Sequence, residues 1–233
     1  MELTRKKFVI AAASALLIPQ LEIADASSRI ISRLPTSSTK RFAWTIDDGA
    51  SSSAVKSYLD IAENTNNHLT LFVTSDFSSW RANSKQISRL LDQGKIQLGN
   101  HTSSHKDLTT LSSSQIKKQL YDCHLFMLHE FGYDARPYFR PPYGSSNSKV
   151  HSVAAELGYT VPTLWYGSFG DSGDTPEGRI VQLATKWIAD ERIVIDHCNR
   201  LKSQKALNQI QGVIKSRGLR SVTLREAFGK NFK

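Results

Sequence analysis

Short apolar, β-rich runs alternate with helical patterns along most of this chain, and that alternation limits the fold more than any other feature. Residues 41–46, 68–73, 96–100, 138–140, 160–166, 192–196 and 220–224 read as strands, with helix candidates between most neighbours. Strands separated in this way pair in parallel, because each return needs a crossover long enough to hold a helix. Seven such units predict an α/β fold, a distorted or incomplete parallel (β/α) barrel of about seven strands. An open twisted sheet is the alternative that periodicity alone does not separate. Helical periodicity is clearest over 112–131, where Ile116, Leu120, His124, Met127 and Leu128 share a face, and over 203–217, where Leu207, Ile210 and Ile214 do. Gly132 and Gly218 are natural helix stops.

The polar residues fall where a barrel gathers its chemistry. Asp47 and Asp48 end the first strand, His101 the third, Arg140 the fourth and His197 the sixth, while Asp171 follows the fifth. His101 and His105 lie four residues apart after an apolar run and can converge on one divalent cation. Thr45-Ile46-Asp47-Asp48-Gly49 adds a carboxylate ligand and a spare carboxylate beside it. Alone, the aspartates read as a turn or helix cap and the histidines as a surface pair. Together, Asp48, His101 and His105 make a three-ligand site with one open position, suited to a metal that activates water. Zinc is the first choice; cobalt or another divalent ion also suits these ligands. If side chains alternate across the strand end, Asp47 faces away from Asp48 and is free to act as the base. Arg140 could hold it in place.

The first residues read differently. Arg5, Lys6 and Lys7 precede an apolar run from Phe8 to Pro19, and Ala24-Asp25-Ala26 offers small residues at a cleavage spacing. Residues 1–26 are therefore expected to be a signal peptide, since the run is short for a stable transmembrane anchor. A twin-arginine signal is hinted at by Thr4 to Phe8 but lacks its second arginine. A polar, Ser-rich linker over 27–40 would lead to a catalytic domain over 41–233. The formal charge of +9 favours anionic surroundings such as the cell envelope, and the scattered Lys and Arg residues give no nucleic-acid footprint. Two cysteines, Cys123 and Cys198, are too few for a disulfide framework, although one bridge is open to them in an oxidising compartment.

Several motifs match one family in order. TIDDG at 45–49, HTSSH at 101–105, RPPYG at 140–144 and IVIDH at 193–197 resemble the polysaccharide deacetylase family, the NodB-type carbohydrate esterases, from Arg41 to about Phe228. The resemblance implies that Asp47 is the base, that Asp48, His101 and His105 bind metal, and that His197 protonates the leaving amine. It implies that Arg140 steadies Asp47, that Asp171 partners His197, and that the Tyr143 backbone N–H helps stabilise the oxyanion. Ile193 and Ile195 would form an apolar pocket for the acetyl methyl, with Trp165 also on the substrate side. The fourth motif departs from the family pattern: Ser168 stands where a first aspartate is usual, and Ser172 where a tryptophan would wall the pocket. Asp174 lies near enough in sequence to replace Asp171, and Ala50 is smaller than the usual residue after the first motif's glycine.

The expected function is a secreted, metal-dependent hydrolase that removes N-acetyl groups from an amino-sugar polymer, peptidoglycan or chitin-type oligosaccharide. The same residues would serve an O-acetyl esterase acting on an acetylated glycan. A catalytically weak glycan-binding protein is the reading from another class. The expected partner is a carbohydrate polymer, with no nucleic acid, and the expected location is outside the cell or in its envelope or periplasm. His68, His124, His129 and His151 lie outside every motif and are assigned to packing or surface hydrogen bonds.

Overall fold

Residues 30–229 are described by the computed structural model, so the expected signal peptide lies outside the described residues. The strands are β1 (Arg41–Asp48), β2 (Leu69–Val73), β3 (Ile96–Asn100), β4 (Tyr138–Phe139), β5 (Val161–Pro162), β6 (Gly167–Ser168), β7 (Ile193–His197) and β8 (Arg220–Ser221). Seven of them follow the order β5-β4-β3-β2-β1-β7-β6, every pairing parallel, and β8 pairs with the start of β1. The sheet curls into an incomplete barrel whose edge strands are β5 and β6.

Helices α1 (Ser52–Asn64), α2 (Ser79–Ala82), α3 (Ser84–Asp92), α4 (Ser113–Phe131), α5 (Ser148–Glu156), α6 (Glu177–Trp187), α7 (Gln204–Ser216) and α8 (Leu224–Phe228) complete the fold. The period of two along β1 divides its side chains. Phe42, Trp44 and Ile46 join the larger core between sheet and helices, whereas Ala43 joins a second core inside the curl. Thr45 and Asp47 continue the inward set. On β7, Ile193 packs inside the curl and Val194 outside it, so His197 belongs to the inward set and Asp196 to the helix side.

Register brings the strand ends level. Asp47 pairs with His197, Asp48 with Val73, Val73 with Asn100, and Asn100 with Phe139. Asp47, Asp48, His101, Arg140 and His197 therefore emerge at one rim.

The run expected as one strand over 160–166 holds only the short β5, and the chain rejoins the sheet as β6 just beyond it. Between them the chain pairs with residues 30–34 instead. The Ile31 N–H donates to Pro162 O and the Leu164 N–H to Ile31 O, while the Leu34 N–H donates to Glu191 O. Ile31 and Leu34 are both buried in the inner core, so the first half of the stretch read as a polar linker crosses the seam between β5 and β7.

Candidate metal centre and active site

At the end of β1 the backbone turns left-handed, with φ of 76° at Asp48 and 102° at Gly49. This departure corrects the expectation from strand alternation. Asp48 does not face away from Asp47; both carboxylates reach the same imidazole, with Asp48 Oδ1 3.2 Å and Asp47 Oδ2 3.5 Å from His101 Nε2. The buried Trp80 holds the turn, its indole N–H donating to Asp48 O at 3.1 Å and to Thr74 O at 3.0 Å. A Cβ on residue 49 would overlap the Trp80 ring, which is why glycine stands there.

His101 follows β3, and its Nδ1 lies 2.7 Å from Arg140 O. A carbonyl can only accept, so Nδ1 carries the proton and Nε2 keeps the lone pair that a metal needs. His105 Nε2 lies 3.1 Å from Asp48 Oδ1. The His105 backbone N–H donates to Thr102 Oγ1, which fixes the intervening turn. Asp48 Oδ1 is buried with no hydrogen-bond donor, and ligand atoms of Asp48, His101 and His105 lie within 4.8 Å of one another. A lone carboxylate oxygen converging with two imidazole nitrogens fits a divalent cation. Burial opposes ionisation of Asp48, but the two imidazoles hold it well below the usual carboxylate range. Its other oxygen accepts from Asn199 Nδ2 at 2.5 Å, and Asn199 Oδ1 accepts from the Ala50 N–H. Among the described residues, four of the five non-glycine positions with positive φ, Asp48, Thr102, His105 and Tyr143, lie at this site; Glu191 is the fifth. Backbone strain is thus concentrated where the ligands are presented.

Asp47 is bound from inside the barrel. Arg140, fully buried, donates from Nη1 to Asp47 Oδ1 at 2.6 Å and to Thr45 Oγ1 at 2.9 Å. Its Nε donates to Thr163 O and its Nη2 to Leu164 O, and the guanidinium lies 4.1 Å from the centre of the Phe72 ring. These contacts fix the plane of the guanidinium and with it the orientation of Asp47.

His197 is level with Asp47 and faces the same cleft. Its Nδ1 lies 2.8 Å from Asp171 Oδ1, and its backbone N–H donates to Asp171 Oδ2 at 3.0 Å. Burial alone would lower the imidazole pKa; the hydrogen-bonded Asp171 carboxylate, with the charges of Asp47 and Asp48, outweighs it and raises His197 to about 9. Asp171 is displaced downward, since its bonds to His197 and the charge of Lys202 outweigh its burial. Asp174 instead reaches out to Arg200 at 2.6 Å, so Asp171 is the partner of His197.

These groups open into a cleft of about 560 Å³ lined by Phe77, Tyr143, Trp165, Ser168 and Ile195. The Tyr143 ring is largely exposed and meets His105 edge to face at 4.7 Å. Ile193 is not brought to the cleft: it lies two residues deeper in β7, buried with Ala43 and Phe72 in the inner core. The cysteines are free, Cys123 bonded to Val73 O and Cys198 to Asp47 O. His68 Nδ1 lies 3.0 Å from Glu226, His124 and His151 bond to Tyr159 and Ser146, all away from the cleft, and His129 is exposed. Sequence reasoning missed Asn199, two residues beyond His197, and the group of Lys202, Asp196 and Tyr58 behind Asp171. Only the polarity of Asp196 within an apolar run could have signalled the latter.

The sequence pattern of the family described as polysaccharide deacetylase matches residues 35–162, more than half of the chain. The peptidoglycan-N-acetylglucosamine deacetylase PgdA of Listeria monocytogenes is 29% identical over 222 residues, covering 91% of this chain and 46% of the relative. The peptidoglycan-N-acetylmuramic acid deacetylase PdaC of Bacillus subtilis is 28% identical over 208 residues, covering 89% of this chain and 40% of the relative. This chain thus spans less than half the length of these relatives. The solved structure of peptidoglycan deacetylase PdaC from Bacillus subtilis superposes with a TM-score of 0.71 at 27% identity, covering 82% of this chain and 90% of that one. That of the chitin deacetylase from Colletotrichum lindemuthianum has the same fold, with a TM-score of 0.74 at 24% identity over 87% of this chain and 92% of that one. With its strand-end motifs, its incomplete barrel and these matches, the chain belongs to the polysaccharide deacetylase family.

Proposed function

We propose that this protein is a metal-dependent hydrolase that removes acetyl groups from the amino sugars of a cell-envelope polymer, with peptidoglycan ahead of chitin-type oligosaccharides. The observation that carries the reading is the buried, donor-free Oδ1 of Asp48 converging with two imidazole nitrogens, beside an Asp47 tied to Arg140. The names of the relatives and the net charge of +9 support an anionic envelope polymer as substrate. The basic and apolar first residues support export. No helix among the described residues is long and apolar enough to cross a membrane.

Asp48, His101 and His105 would hold the cation, zinc first. A cation there supplies Lewis acidity, polarising the acetamide carbonyl and making water acidic enough to lose a proton near neutral pH. Asp47 takes that proton, and Arg140 keeps its carboxylate aimed while it does so. His197 gives a proton to the departing amine nitrogen as the C–N bond breaks, so acetate and a free amine leave. Asp171 accepts the Nδ1 proton of His197, which leaves Nε2 as the donor toward the cleft. A pKa near 9 keeps His197 charged, and hence acidic, at neutral pH.

Acetate release from purified peptidoglycan, chitin oligomers and acetylated xylan, each with zinc and with chelator, tests the reading. Zinc-dependent release from an amide substrate is expected. Release from xylan alone would make the protein an O-acetyl esterase, and release from none, with the polymer still bound, would make it a glycan-binding protein.

A further inference from the structure

Behind the His197–Asp171 pair lies a buried charge cluster that the proposed reaction does not use. Lys202 is 6% exposed, and its ammonium donates to Asp171 Oδ2 at 2.7 Å, to the Tyr58 hydroxyl at 2.9 Å and to His197 O at 3.1 Å. Asp196 Oδ1 lies 3.0 Å from the same ammonium. Asp196 is fully buried on the helix side of β7, where its Oδ2 accepts from Tyr58 at 2.5 Å and from the Trp44 indole N–H at 3.1 Å. One cation is thus shared by two interior carboxylates; Asp196 accepts only the His197 backbone N–H, at 3.1 Å, and Asp171 alone touches the His197 imidazole.

Resting on the reading of His197 as the acid, we propose that Lys202 is a positioning residue: its ammonium clamps Asp171 and Asp196 together and keeps Asp171 the full anion against which the His197 imidazole is oriented. The argument is electrostatic. Two adjacent carboxylates in an interior cannot both stay ionised unless a cation lies between them. Without Lys202 the two would share a proton, and Asp171 would be a weaker acceptor for His197 Nδ1–H. Asp196 is the one displaced toward the neutral form, by its burial and by the charge of Asp171. With Lys202 in place, Asp171 retains its negative charge and three donors, from His197 Nδ1, the His197 backbone and Lys202. The titratable groups bearing directly on His197 are Asp171 from the loop after β6 and Asp47 and Asp48 from β1. The two aspartates of β1 are common to every variant below, so they cancel from the comparison.

The test follows the His197 ring by ¹H–¹⁵N NMR of the full chain, with and without zinc, alongside kcat and KM for acetate release. Lys202→Met is expected to lower the His197 titration midpoint by about one pH unit and to lower kcat about tenfold, with KM nearly unchanged. In Lys202→Met/Asp196→Asn the competing carboxylate is neutral, so Asp171 has nothing to share a proton with and the midpoint returns to that of the unaltered chain. An unmoved or raised midpoint in the single variant overturns the proposal, as does a double variant whose midpoint stays low. If Lys202→Met does not fold, Lys202→Gln, which can still donate to Asp171 and to the Tyr58 hydroxyl but carries no charge, takes its place: a lowered midpoint supports the proposal and an unmoved or raised one overturns it. The ring titration needs no turnover, so a chain that releases no acetate would count against the deacetylase reading and leave the role of Lys202 to the spectra.

Discussion

Asp47 and Asp48 are neighbours with different partners, and substitution should separate their duties. Asp47→Asn keeps an oxygen for Arg140 to bind but removes the base. Turnover is expected to fall roughly 10²- to 10⁴-fold while zinc affinity by calorimetry stays within a few-fold. His101→Ala should lose both, and a fully active Asp47→Asn would show that another group takes the proton. Asn199 acts on the metal ligand itself, since its amide turns Asp48 so that Oδ1 faces the two imidazoles. Asn199→Ala is expected to weaken zinc binding about 10- to 100-fold in a chelator competition, and an unchanged affinity would remove this orienting role. The residues that could be read in advance, Asp47, Asp48, His101, His105, Arg140 and His197, stand in short motifs at strand ends. Asn199 and Tyr58 could not, because their bonds to Asp48 and Asp196 join positions 151 and 138 residues apart. Ile193 shows the limit of periodicity: a period of two gives the face of β7 on which it lies but not its depth.

Element boundaries follow local chemistry where local chemistry decides them. Helix α4 begins at a capping box in which Ser112 and Gln115 satisfy each other's backbone N–H groups, and it ends at Gly132 in the left-handed conformation, so both ends were visible in the sequence. Helix α7 starts at a simple N-cap, Ser203 accepting from the Ala206 N–H. The run over 160–166 misled because its apolar residues leave the sheet to pair with a distant segment, which periodicity does not register. The turn after β1 is the element on which the site most depends. Gly49→Ala would place a methyl into the Trp80 indole at a backbone conformation that side chains rarely adopt. It is expected to lower the unfolding free energy by about 1–3 kcal/mol in urea titrations and to reduce zinc affinity, because Asp48 rides on that turn. A variant that lost stability but bound zinc as before would uncouple the turn from the ligand geometry.

At the scale of the molecule, alternation of strand and helix was enough to predict a parallel sheet but did not separate an incomplete barrel from an open twisted sheet, and the strand-end positions of the polar residues were enough to predict one active rim. What bridges the open seam was hidden, because residues 30–34 lie within a stretch read as a polar linker, and only Ile31 and Leu34 of them are buried. The fold keeps the His197–Asp171 pair largely from water, which links that pair to global stability. His197 has a folded pKa of about 9 against an ordinary 6.5, so its contribution is complete below pH 6.5 and is lost as the pH rises through 9. Asp171 is displaced downward, so its contribution is present above the ordinary carboxylate range and is lost as the pH falls through its folded value. The displacement of His197 corresponds to stability on the order of 3 kcal/mol. Urea unfolding at pH 6 and pH 10, in chelator so that cation binding does not enter, should show the unaltered protein weaker at pH 10 by an amount of that order. In Asp171→Asn the imidazole loses its anion, so most of that difference should vanish. If the variant lost as much stability between the two pH values as the unaltered chain, the alkaline weakening would belong to groups other than this pair.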